Sequence, residues 1–333
     1  MAIIANTYKT YETKGIREQL SDVISNISPT DTPFTSNAGR GEKLTNTFYE
    51  WQQDSLASAD TTNAQIEGDD HGAFAQTAPT LRIGNYAQIS QKDLILSDTQ
   101  EEVNKAGRKS ELAYQIAKRG KELKRDIEAI CLANQAAVAG NATTARKTAA
   151  LLAYIRTNTD FANDGDGAGG GTDGANPPAL TSGAPTTART DNTNTRAFTE
   201  TILKTIISKG YTSGMNVDGA TLMVGPAQKA VVSGFAGLAT KTYQMTAAKT
   251  AAIIGAADVY VSDFGVITVV PNRFQRNRDA FLLDFDMVKI RELRPYQVKD
   301  LAKTGDATKK LMIREWGLEV TNEAGLALAA DLT

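Results

Sequence analysis

The chain holds one cysteine, Cys131, and one histidine, His71, among 333 residues. A single thiol excludes an intramolecular disulfide and any thiolate metal site built within one copy, which leaves Cys131 the part of a small buried apolar side chain. A single imidazole means that Ser-His-Asp or Cys-His chemistry would depend on His71, in the small polar tract GDDHG at 68–72. Excess charge is missing too: 36 Lys and Arg against 38 Asp and Glu give a net charge of −2. That balance lacks the footprint of a protein that condenses nucleic acid by itself. No run approaches the roughly 18–20 apolar residues of a membrane helix. The start MAIIANTYKTYETKG lacks the basic head and apolar centre of a secretion signal, so the expectation is a soluble product, intracellular when made, with no membrane partner.

What is present is enough apolar material for a real core. Hydrophobic residues make up 41% and charged residues 22%, the balance of a globular chain with one large domain or two medium ones. The first ~30 residues are mixed in character and are punctuated by Pro29 and Pro33, which suggests an arm with a short helix around 14–26. TNTFYEWQQDSL at 45–56 and RIGNYAQISQKDLIL at 82–96 are rich in strand formers, and a loose polar tract joins them. This reads as a long hairpin too thin to own a core, and therefore in need of a neighbour.

From Ser97 to about Ala139, Val103, Ala106, Ala113, Ile116, Leu123, Ile127, Ile130 and Asn134 recur at helical spacing, with Ser97 and Gln100 placed as a capping box. The pattern predicts a helix of ~40 residues, about 60 Å long, bent or interrupted near Gly120. RKTAALLAYIRTN at 146–158 and RAFTETILKTIISKG at 196–210 read as further helices, TLMVG at 221–225 as a buried strand, and PAQKAVVSGFAG as a helix begun by Pro226. VYVSDFGVITVVPNRF reads as two strands about a turn at Asp263–Gly265, and alternating strands carrying Phe281, Phe285 and Trp316 complete the chain. Helix and strand mix without a βαβ rhythm, so the fold class is α+β.

The motifs that invite a chemical reading lack its context. GDGAGG at 165–170 has the spacing of a dinucleotide fingerprint, but it sits in a polar tract rather than between a strand and a helix. A calcium loop begun at Asp164 would place Ala168 where a ligand belongs. DFG at 263–265 has no lysine-bearing glycine loop and no HRD elsewhere, and so reads as a hairpin turn. Asp69 and Asp70 beside His71 read as a solvated turn before a metal site, and no spacing singles out a pair of hydrolytic carboxylates. No catalytic, cofactor-binding or metal-ligating residue is expected.

PTDTPFTSNAGRGEKLTNTFYEWQQDSL, then RIGNYAQISQKDLIL and the helical stretch, resembles the start of major capsid proteins of podovirus-type tailed bacteriophages. RKTAALLAYIRTN, RAFTETILKTI, TLMVGPAQKAVVSGFAG, VYVSDFGVITVVPNRFQR and LRPYQVKDLAKTGDATKKLMIREWGLEVTNEAG are similar to the same family in the same order. The resemblance implies the Hong Kong 97-like fold: an N-terminal arm (1–44), an extended loop (45–96) and a peripheral domain with a spine helix (97–195). An axial domain (196–258) and strands returning to the peripheral domain (259–333) complete it, with the glycine-rich 158–195 as a surface insertion. It further implies self-assembly into pentamers and hexamers of an icosahedral shell around double-stranded DNA, held by weak non-specific contact. The virion capsid is then the location, with assembly in the host cytoplasm.

A portal and a separate scaffolding protein are expected partners, since the arm reaches recognisable fold by about Pro33, and a decoration protein is a further one. Nothing marks Lys92 or any other lysine for covalent crosslinking, so a non-covalent shell is expected. Phe48, Trp51, Tyr86 and Ile89 on the extended loop are the candidate inter-subunit contacts, because large apolar side chains anchor interfaces. The alternatives are an encapsulin-like nanocompartment shell, or a soluble metal-dependent enzyme built on Asp69, Asp70 and His71.

Overall fold

Three strands are buried at every position and, Thr221 apart, wholly apolar: β6 (Thr221–Val224), β9 (Ala280–Leu283) and β12 (Leu326–Ala329). Successive strand residues face opposite sides, so such strands need cover on both faces. They form the centre of a six-stranded sheet ordered β5-β12-β9-β6-β8-β7, with β5 (Thr159–Asp160), β7 (Val259–Ser262) and β8 (Gly265–Pro271). On one face Leu222, Leu282 and Ala327 pack with Leu203, Ile206 and Ile207 of helix α4 (Glu200–Thr212) and Val232 of α5 (Pro226–Ser233). On the other, Met223, Phe281 and Leu328 join a core that holds Leu123, Ile127 and Cys131 of α3 (Glu111–Leu132). One sheet is thus the wall between two cores. The computed structural model describes residues 28–68, 72, 77, 79–105, 107–162, 177, 180, 182–235 and 258–333.

A second, four-stranded sheet is ordered β1-β10-β11-β4, from β1 (Gly39–Arg40), β4 (Gln88–Ser97), β10 (Val288–Asp300) and β11 (Ala307–Val320). β10 and β11 run antiparallel from Val288 opposite Val320 to Asp300 opposite Lys310, with register shifts between Glu292 and Gln297, around Pro295. Proline cannot donate to a ladder, which accounts for the irregularity there. Trp316 of β11 is fully buried and donates its indole N–H to Ser90 Oγ at 3.0 Å. A two-stranded hairpin, β2 (Phe48–Gln53) with β3 (Leu81–Tyr86), is paired from Phe48 opposite Tyr86 to Gln53 opposite Leu81. A short helix, α1 (Pro33–Asn37), precedes β1.

The structure corrects several expectations. The single helix over 97–139 is two pieces, α2 (Asp98–Glu102) and the 22-residue α3, the latter about 33 Å long. The break lies between Glu102 and Glu111, not at Gly120: Val103 is already extended and Gly107 has a left-handed φ of 74°, whereas Gly120 lies inside α3. Ser97 makes no side-chain cap, while Ser110 Oγ accepts from Ala113 N at 3.1 Å and starts α3. Residues 146–158 form only one 3₁₀ turn, Leu151–Ala153, since the preceding Lys147 and Ala150 amides donate to the Val138 and Gln135 carbonyls rather than along a helix.

The strands expected to return after residue 258 do so only in part. β7, β8, β9 and β12 stay with β6, which as a central strand needs partners on both edges, and only β10 and β11 enter the other sheet. The presumed surface insertion is also narrower than 158–195, since Asn158, Thr159, Asp160, Arg189 and Asn192 are buried. The expected arm helix at 14–26, residues 69–71, the glycine-rich motif at 164–174 and residues 236–257 lie outside the described residues.

Candidate assembly surfaces

The base of the extended loop is fastened to its own chain. Tyr49 Oη donates to the Leu318 carbonyl at 2.7 Å, and the buried Asn85 donates to the same carbonyl at 2.7 Å while accepting from Ala149 N at 2.8 Å. Tyr154 Oη donates to the Gly84 carbonyl at 3.1 Å. Gly84 is required there, because a Cβ would stand 2.8 Å from the Phe48 ring and 2.9 Å from the Tyr49 carbonyl. Burial pushes both phenols well above the usual tyrosine range, which keeps them neutral donors.

This fastening separates the four sequence-derived contact candidates. Trp51 is only 9% exposed and stands 6.0 Å from the Tyr49 ring and 6.1 Å from the Tyr154 ring, inside the chain's own core. Phe48 and Tyr86 are half-buried and pair across the hairpin with ring centroids 4.9 Å apart. Ile89, on β4, is 43% exposed. The reading of 45–96 as one coreless excursion therefore narrows to its tip, because β4 belongs to the four-stranded sheet and Tyr49, Trp51 and Ile83 to the main core.

The tip is bare. Every residue from Asp54 to Gly68 is exposed, and two large apolar side chains stand almost free of protein, Leu56 at 99% and Ile66 at 78%. Residues 54–80 carry five acidic side chains and no lysine or arginine. Local patterning identified this tract as loose but not its charge bias, which simple counting would have found. Asp69, Asp70 and His71 lie outside the described residues, and among the described residues no three His, Cys, Asp or Glu side chains cluster to hold a metal.

A second exposed apolar face lies at the end of the six-stranded sheet. Val259 and Val261 of β7 and Val266 of β8 are exposed, and Phe264 at the hairpin turn packs on Tyr211 of α4 with centroids 4.6 Å apart. A groove of about 560 Å³ runs between β7 and α4, lined by Glu200, Lys204, Ile207 and Tyr260. β7 has one strand neighbour only among the described residues. The alternation of VYVS and GVIT predicted these strands, but not which of their faces would be left bare.

Behind these surfaces, buried ionic groups join distant segments. Asp331, fully buried with φ of 58°, pairs with Arg189 at 2.9 Å and with Arg278 at 3.2 Å, and accepts from Asn192 N at 3.0 Å. The Arg189 guanidinium also lies 4.8 Å over the Phe161 ring. Asp279 nearby has its carboxyl pushed up to about 6, chiefly by burial, with Arg276 at 3.3 Å pulling the other way. Arg189, Asp331 and Asp279 are enclosed in the chain, whereas the Arg276 and Arg278 side chains are 23% and 34% exposed.

Among the described residues, then, the loop base is fastened, the loop tip is bare and β7 has a strand neighbour on one side only. The family description SU10 major capsid protein matches residues 3–333. The chain belongs to that family. Over 129 residues it is 40% identical to the major capsid protein of Escherichia phage Phieco32, covering 39% of this chain and 36% of that relative. The chain also shares its fold with the subunit of the cyanophage A-1(L) capsid asymmetric unit, at 12% identity and a TM-score of 0.65 over 98% of both chains. The holo-SrpI encapsulin complex from Synechococcus elongatus PCC 7942 is similar at 10% identity and a TM-score of 0.53, over 93% of this chain and 92% of that one. The fold is Hong Kong 97-like, of mixed helix and sheet.

Proposed function

We propose that this chain is the shell-forming subunit of a tailed-phage capsid, self-associating into pentamers and hexamers that close an icosahedral shell around double-stranded DNA. The observation that carries the reading is the bare tip of the extended loop, with Leu56 at 99% exposure. An apolar side chain held fully in water gains stability only when another surface covers it, by about 1.5–3 kcal/mol for a leucine. In a shell, every copy supplies that cover to the next.

On this reading α3 is the spine helix of the peripheral domain, the four-stranded sheet its floor, and the six-stranded sheet with α4 and α5 the axial domain. The axial domain then extends past residue 258 to take in β7–β9 and β12. Near-zero net charge suits a container that DNA enters and leaves, because dense phosphate neutralisation would hold it tightly. The subunit acts by assembly in the host cytoplasm and resides in the virion, without catalysis. A portal, a separate scaffolding protein and a decoration protein are its partners, and the shell is non-covalent. Lys92 fits that view, being engaged with Asp126 across β4 and α3 at 2.6 Å. The shared fold of the encapsulin supports a second reading, a nanocompartment that would hold protein cargo in place of DNA.

The test is negative-stain electron microscopy with sedimentation of the chain expressed alone and with a candidate scaffold. Closed shells of uniform size in either sample support the proposal, and DNA against protein inside native particles separates phage from nanocompartment. A persistent monomer or small oligomer in both samples removes it.

A further inference from the structure

Helix α3 leaves five residues exposed: Ala113, Ala117, Lys118, Lys121 and Lys124. Steps of three and four residues return to the same side of a helix, so these five share one face. None of the three lysines has a carboxylate within ion-pair distance among the described residues. The carboxylates of the same helix are all engaged elsewhere. Glu111 pairs with Arg108, Glu122 with Arg119 at 2.8 Å and Asp126 with Lys92 at 2.6 Å, while Glu128 accepts from the amides of Phe34 and Thr35. In a chain whose net charge is −2, the open face of α3 shows positive charge alone.

We propose that this face, centred on Lys118 and Lys121, rests against the phosphate backbone of the enclosed double-stranded DNA and is the side of the subunit turned to the shell interior. The inference rests on the shell reading above and names the residues that make its weak DNA contact. What the face lacks selects the partner. Protein interfaces are anchored by large apolar and aromatic side chains, and the exposed set on α3 holds only alanine and lysine. A phosphate backbone asks for cations and for nothing apolar, and contacts to it carry no sequence preference. An acidic protein segment such as 54–67 would bring Leu56 and Ile66, for which this face has no apolar seat.

Spacing and strength agree with that partner. Lys118 to Lys124 spans about 9 Å along the helix axis. B-form DNA presents one phosphate charge per roughly 1.7 Å of its own axis, so a helix laid on it meets several. Ala113 and Ala117 are short and leave the approach open. Three neutralised phosphates give a salt slope of only about 3, against about 10 for a tight sequence-specific repressor. Repeated over every copy, so slight a contact steadies the outermost DNA without barring its exit.

The experiment uses native particles, filled with DNA and then emptied by heat, chelator and nuclease, so that contacts between copies are the same in both samples. A small amine-acetylating reagent is applied to each, and mass spectrometry follows every lysine relative to the exposed Lys299 of β10. Lys118 and Lys121 are expected to react about fivefold or more slowly in filled than in emptied particles. Equal rates in the two samples overturn the contact and leave the shell reading intact: equally fast rates place the face away from DNA, and equally slow rates put another copy or another protein over it. Formaldehyde treatment of filled particles gives a second readout, in which DNA-linked peptides should include those carrying Lys118 or Lys121. Links confined to other lysines would also overturn the assignment. Native particles that hold protein in place of DNA would remove the phage reading and this inference together.

Discussion

Asn272 Nδ2 donates to Glu128 Oε1 at 2.6 Å across 144 positions of sequence, inside the protein. The same carboxylate accepts from the amides of Phe34 and Thr35, each at 2.8 Å, and so satisfies backbone N–H groups that have no partner within the first turn of α1. Glu128 is fully buried, and one side chain of α3 therefore fixes both the N-terminal segment and the loop after β8. Glu128→Ala removes the acceptor shared by the Phe34 and Thr35 amides and Asn272 Nδ2, at about 1–3 kcal/mol for each donor left buried and unsatisfied. Urea unfolding of the variant should show a loss of about 3 kcal/mol or more, and a midpoint unchanged from the parent would refute the assignment.

Asp331 makes the second prediction. Removing one member of a buried ion pair costs about 3–5 kcal/mol, because the partner charge stays behind. Asp331→Ala takes the paired carboxylate away from Arg189 and Arg278 and also places alanine at a positive φ that aspartate and asparagine tolerate better. Asp331→Asn keeps the backbone preference and loses only the charge, so thermal melting should rank parent above Asn above Ala.

Asp279 supplies a pH dependence with a definite sign. Its folded carboxyl titrates at about 6 against an ordinary 3.8, chiefly through burial, so the folded state binds the proton more tightly than the unfolded chain does. Stability from this group is complete below about pH 4 and is lost as pH rises through 6, by an amount of the order of 3 kcal/mol. Asp279→Asn should flatten that part of the stability profile. Parallel profiles for parent and variant between pH 4 and 7 would count against it.

Two loop residues of similar chemistry should behave oppositely. Trp51→Ala empties part of the core and should cost about 3–5 kcal/mol of subunit stability. Leu56→Ser removes a side chain that is 99% exposed in its own chain, and should leave unfolding within about 0.5 kcal/mol of the parent while reducing shell yield. Denaturation of unassembled subunits, set beside sedimentation of assembly reactions, separates the two effects.

Much of the fold was legible in local pattern. The alternation in VYVSDFGVITVV gave both strands and the turn, and the apolar run TLMV gave a strand covered on both faces. Patterns failed where the deciding partner is remote. The end of α2 and the start of α3 depend on Glu101, whose carboxylate accepts from the amides of Glu111 at 3.0 Å and Leu112 at 3.3 Å, a reach that helical periodicity does not encode. Trp51 looked like an interface anchor because a large aromatic on a thin hairpin needs cover. Tyr154, from a stretch about a hundred residues later, provides it. Bare surfaces were the least legible, since exposure of Leu56 or Val261 is a property of what fails to reach them.

The six-stranded sheet bears apolar residues on both faces, and each face belongs to a different core. Such a wall leaves no seam along which the two halves could be peeled apart, because any split would bring one face of β6, β9 and β12 into water. The subunit should therefore melt in a single calorimetric transition, and under outward load it should behave as one stiff tile, yielding at its edges and loop before its middle.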